Sequence, residues 1–77
     1  MTSIYSREYK VFLKRLRQAR IDAGLTQADA AARLKRPQSF VSKCESGERR
    51  VDVVELAKLA SMYDKPLEYF LREAKRI

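Results

Sequence analysis

The feature that most constrains this chain is an interruption. Between Leu25 and Arg50, two stretches of helical character are separated only by Lys35-Arg36-Pro37. The first opens at Thr26, whose hydroxyl can accept backbone N–H groups of the following turn. Asp29 stands three residues on, where the positive end of a helix favours a carboxylate. Ala30, Ala31 and Leu34 then form an apolar stripe at helical spacing. Pro37 excludes its predecessor from the α region, so the first helix must end before it. The same proline suits the first turn of a new helix, where a missing N–H costs nothing. That second helix carries Phe40, Val41 and Cys44 on an apolar face, leaves Gln38, Ser39, Ser42 and Lys43 outside, and stops at Gly47 in a left-handed cap. Two short helices joined so tightly pack at a large angle, and the second projects from the domain.

The string resembles the helix-turn-helix of the phage-repressor/Cro (Xre-type) transcriptional regulators. The matching pieces are Leu25-Thr26-Gln27 opening the first helix, Leu34 closing it, Gln38-Ser39-Phe40-Val41-Ser42-Lys43 on the second, and Glu45-Ser46-Gly47-Glu48-Arg49 after it. The likeness extends over roughly residues 10–72. It departs from the family at Lys35, where a glycine is usual, so a left-handed lysine is expected at some strain. It departs again at Pro37, which replaces the usual serine or threonine cap. The implied fold is all-α: a compact five-helix bundle of the lambda-repressor-like DNA-binding type, with the helix-turn-helix formed by helices 2 and 3. Helices are expected over about 7–23, 27–34, 38–46, 53–62 and 66–75, in one domain spanning 1–77.

An α-helix fits the DNA major groove, and its outer side chains can read base edges. Gln38 can pair with adenine through both amide atoms, and Lys43 can donate to guanine; Ser39 and Ser42 are less specific readers. The competing reading for all four is an ordinary solvated face. Phosphate contacts are expected from Thr26, Gln27, Arg36, Ser46, Arg49 and Arg50, which position a protein on DNA without reading sequence. The resemblance implies that Arg20 and Glu45 form a partly buried ion pair between helix 1 and the end of helix 3. Phe40 either covers the hinge or touches a thymine methyl. Cys44 reads as a small core residue, with a redox switch as the sharper alternative.

Charge supports a polyanionic partner. The 77 residues carry 17 Lys+Arg against 10 Asp+Glu, a net charge of +7. Residues 1–50 hold twelve basic and five acidic side chains; residues 51–77 hold five of each. The basic excess therefore belongs to the first helix and the helix-turn-helix. A basic amphipathic first helix also fits a membrane surface or a calmodulin-like partner, but the helix-turn-helix accounts for the charge more economically.

Several classes are excluded or disfavoured. One cysteine forms no internal disulfide, and the chain has no histidine and no metal-ligand cluster. No apolar run approaches membrane-spanning length, and no signal-peptide core is evident, so a soluble cytoplasmic chain is expected, with no cofactor and no small-molecule ligand. Without histidine, a phosphate-cradling glycine loop or paired carboxylates, an enzyme is not expected.

Asp52 caps the next helix, and Asp64-Lys65-Pro66 breaks the chain before the last. Leu67, Phe70 and Leu71 cannot all face a core this small. Either the last helix simply lids the domain, or it forms a two-fold interface with Tyr63, Leu67, Tyr69, Phe70, Leu71 and Ile77. The resemblance supports a homodimer on a palindromic duplex, acting as a repressor or controller. An antitoxin or other protein-interaction module is the alternative.

Overall fold

A computed structural model describes residues 6–71, and among them every regular element is helical. The elements are α1 (Arg7–Asp22), α2 (Gln27–Leu34), α3 (Gln38–Ser46), α4 (Val53–Met62) and α5 (Leu67–Phe70).

Capping sets the starts. The Ser6 side chain accepts the Tyr9 N–H at 3.1 Å and opens α1. Thr26 and Asp29 form a reciprocal capping box at 3.0 Å in each direction. Asp52 and Glu55 form another, at 2.7 and 3.1 Å. Pro37 lies at the N-cap of α3, extended at φ −66° and ψ 154°, with no side-chain cap bond. It therefore precedes the first turn rather than filling it. Pro66 does the same for α5.

The stops are left-handed. Gly24, Lys35 and Asp64 have φ of 75°, 57° and 58°. Each is followed by an N–H that reaches five residues back: Leu25 to Arg20, Arg36 to Ala31, and Lys65 to Ala60. All three turns are Schellman motifs. The expected left-handed lysine is thus present, and Asp64 is a second non-glycine residue of the same kind. Helix α1 ends at Asp22, with Ala23 as its cap, one residue short of the sequence expectation. Helix α5 covers Leu67–Phe70 only, and the rest of the expected segment, 72–75, lies outside the described residues.

One core joins all five helices. Phe12, Leu16 and Ala19 from α1 meet Ala30 and Ala31 from α2, Val41 and Cys44 from α3, Leu56 and Leu59 from α4, and Phe70 from α5. Ala30 and Ala31 are almost fully buried, and their small side chains allow α2 and α3 to approach closely. Burying a residue such as Leu16 contributes about 1.5–3 kcal/mol. Fixing the apolar face of α3 in this core leaves its opposite face no choice but solvent.

Candidate nucleic-acid interface

The 3.6-residue period divides α3 cleanly. Phe40, Val41 and Cys44 are buried, while Gln38, Ser39, Ser42 and Lys43 are exposed. The four expected readers share the outward side of one helix. Because Pro37 supplies no side-chain cap, the first N–H groups of α3 are not tied down by one and point along the same end of the helix as Gln38.

Behind this face, Arg20 and Glu45 are paired, as the resemblance implied. Arg20 donates from Nε to Glu45 Oε2 at 2.7 Å and from Nη2 to Oε1 at 3.1 Å. A third N–H of the same guanidinium reaches the Leu25 carbonyl at 2.9 Å. Both side chains are largely buried, 10% and 5% exposed. The hydrogen bond to Glu45 raises the Arg20 pKa further above its already high value. Gln27 joins the group, its amide donating to Glu45 Oε1 at 3.1 Å. One carboxylate therefore ties together α1, the first turn of α2 and the last turn of α3. Gln27, expected at a phosphate, is here engaged with this carboxylate.

A second carboxylate sets the other flank. Glu55 accepts two N–H groups from Arg49 at 2.8 and 2.9 Å, in a bidentate pair, besides the capping N–H of Asp52. The Arg49 hydrogen bonds hold the Glu55 carboxyl below the usual glutamate range and raise the arginine in turn. Arg49 also lies over the Phe40 ring, 4.8 Å from its centroid, and Arg36 lies over the same ring at 4.0 Å. Phe40 therefore covers the hinge and serves as a platform for two guanidinium groups. Arg49, expected as a phosphate clamp, spends its hydrogen bonds on Glu55 and on the Arg50 carbonyl. Arg36 makes no ion pair among the described residues and is exposed. Arg50 rests over Tyr9 at 4.8 Å, and the Tyr9 hydroxyl accepts the Val51 N–H at 3.3 Å.

The remaining expected phosphate contacts are hydroxyls. Thr26 Oγ1 accepts the Asp29 N–H, which leaves its own O–H to donate elsewhere. Ser46 donates to the Lys43 carbonyl and accepts the Glu48 N–H, both at 3.2 Å, so it closes the end of α3. Cys44 is 1% exposed, and burial pushes its thiol pKa up, the reverse of what a reactive cysteine needs.

The expected two-fold surface divides. Leu67 and Leu71 are 45% and 41% exposed, and Tyr69 is half-buried beneath Arg15 and Lys65. Tyr63 and Phe70 need correction: at 2% and 1% exposure they are core residues, Tyr63 within the central cluster and Phe70 facing Phe12 of α1 with ring centroids 6.3 Å apart. Burial also raises the Tyr63 phenol to about 12. Ile77 lies outside the described residues. Among the described residues no His, Cys, Asp or Glu cluster could hold a metal, and no helix is long and apolar enough to cross a membrane.

Pair by pair, sequence spacing missed the Arg49–Glu55 bridge, the Gln27–Glu45 bond and the Lys65–Asp22 pair at 3.1 Å. The signal for the first was available, because Asp52-x-x-Glu55 is a capping-box pattern that sets an acid beside the Arg49-Arg50 loop.

The helix-turn-helix domain family matches residues 11–68. Among solved structures, an XRE-family like protein from Pseudomonas syringae pv. tomato str. DC3000 is similar at 42% identity, with a TM-score of 0.80, over 90% of this chain and 84% of that one. No curated protein matches. With its two-helix motif, basic flanks and outward polar face, the chain belongs to the Xre-type family of helix-turn-helix DNA-binding regulators.

Proposed function

We propose that the protein binds a palindromic DNA operator as a homodimer and controls transcription there as a repressor or controller. The observation that carries this reading is the segregation of α3: Gln38, Ser39, Ser42 and Lys43 share its solvent side, while its opposite side is locked in the core. Gln38 and Ser39 occupy the end of the helix that enters the major groove and read base edges there, and Lys43 reads one turn along. Arg36 and Arg50 grip phosphates on either side, helped by the Thr26 hydroxyl and the N-terminal N–H groups of α2. Arg49, Gln27 and Ser46 hold the frame on which these contacts stand. The dimer forms through Leu67, Tyr69 and Leu71, which sets two copies of α3 about 34 Å apart, one turn of DNA.

Selection of bound fragments from random duplexes tests this. The expected result is a two-fold symmetric consensus with half-sites one helical turn apart. An asymmetric consensus would overturn the homodimer, and no enrichment would overturn sequence-specific binding.

A further inference from the structure

A groove runs between the C-terminal half of α2 and the outer face of α4, lined by Arg33, Leu34, Val54, Ala57, Lys58, Ser61 and Met62, with a volume of about 550 Å³. Its floor is apolar. Val54 is 60% exposed and the neighbouring Val53 74%, two β-branched side chains that a solvated helix has no use for. They follow at helical spacing with Ala57, whose small side chain keeps the floor low. The rim is cationic, and among the described residues neither Arg33 nor Lys58 forms an ion pair. The carboxylates one turn from the rim are engaged elsewhere: Asp29 closes the capping box with Thr26, and Glu55 accepts two N–H groups of Arg49. None of the lining residues belongs to α3, so the groove stands apart from the face that reads DNA.

We infer that this groove is a docking site for an acidic amphipathic helix of a partner protein. The apolar stripe of such a helix covers Leu34, Val54 and Ala57, and carboxylates along its edges meet Arg33 and Lys58. This is recognition of a helix in a groove with charge fixing its orientation. A DNA backbone matches the rim but has nothing to bury on Val53 and Val54. The inference stands apart from the operator reading, since it uses none of the α3 face.

Two synthetic helical peptides test it, with the same leucine stripe but glutamate in one and lysine in the other flanking positions. Each is titrated into the isotope-labelled full chain and followed by amide chemical shifts. The acidic peptide is expected to move Leu34, Val54, Ala57 and Ser61 while leaving Gln38 to Lys43 in place, and the basic peptide is expected to move nothing. Lys58→Glu combined with Arg33→Gln should weaken the acidic peptide at least tenfold and Val54→Lys should do the same; all three sites are exposed, so the fold survives. Equal binding of both peptides, binding of neither, or shifts confined to α3 would overturn the inference. So would Val54→Lys breaking the dimer, which would assign the groove to a second copy, or protection of the groove by duplex DNA alone.

Discussion

Arg20 is the residue whose removal should matter most. Its guanidinium makes three hydrogen bonds across two helices and a loop, and it is almost fully buried. Taking away one partner of a buried pair leaves the other charged and unsolvated, at about 3–5 kcal/mol. Arg20→Met is therefore expected to lower the urea-unfolding free energy by about that amount, and a loss below about 1 kcal/mol would show that the pair is worth no more than a surface one. Glu55 gives a pH signature. Its carboxyl titrates below the usual glutamate value when folded, because Arg49 hydrogen bonds to the ionised form. A depressed folded pKa contributes stability that is present above the unfolded value and lost as pH falls through the folded one. The stability gap between wild type and Glu55→Gln should thus be full near neutrality and narrow below about pH 4.3; a gap constant from pH 6 to 3 would exclude the titration. At this scale the sequence told most about residues in helical register. The outward set on α3 was legible because its buried neighbours sit three and four apart. Arg49–Glu55 and Gln27–Glu45 bridge loops or different helices, and no periodicity reports such pairs. Gln27 and Arg49 both read as free polar groups for that reason.

Helix ends were the most legible of the elements, because capping is local chemistry. Thr26 and Asp52 caps, the glycine stops and the proline break all act within four residues, and α2, α3 and α4 begin and end where those signals stand. What the sequence reading did not single out was the left-handed turn at Asp64, although aspartate is among the few non-glycine residues that visit that region readily. Lys35 offers a direct test of strain in an element. It holds φ 57° and ψ 44° at the end of α2, where an L-residue with a Cβ is disfavoured by about 1–2 kcal/mol. Lys35→Gly is expected to raise thermal stability, by up to about 1 kcal/mol after the extra chain entropy of glycine is counted. Lys35→Val should lower it. A glycine variant less stable than wild type would mean that the lysine side chain contributes contacts exceeding the backbone strain.

For the whole molecule, the charge split of the sequence maps onto architecture. The basic half builds α1 to α3, and residues 51–71, with two basic and four acidic side chains, carry α4 and α5, which pack behind. The proposed dimerisation belongs to this scale, and burial decides how it can be tested. Phe70 and Tyr63 sit in the core, so changing them would unfold the protomer and say nothing about association. Leu67 is 45% exposed, and Leu67→Glu should leave the melting temperature of dilute protein nearly unchanged while weakening self-association at least tenfold by sedimentation. Unaltered association would move the interface off α5. The sequence alone could not divide these residues, because Leu67, Tyr69, Phe70 and Leu71 crowd within five positions and fit any face of a short helix, and only the position of α1 determines which of them turn inward.

The outward side of α3 is the proposed reader of duplex DNA, and the affinity ratio between a selected duplex and its scrambled counterpart tests this most directly. At about 0.15 M salt the wild type is predicted to prefer the selected duplex by about a thousandfold or more. Gln38→Ala should lose about 1–3 kcal/mol of that preference, confined to one base position in each half-site. Equal affinity of the wild type for both duplexes, falling steeply with salt as for any polycation, would contradict it.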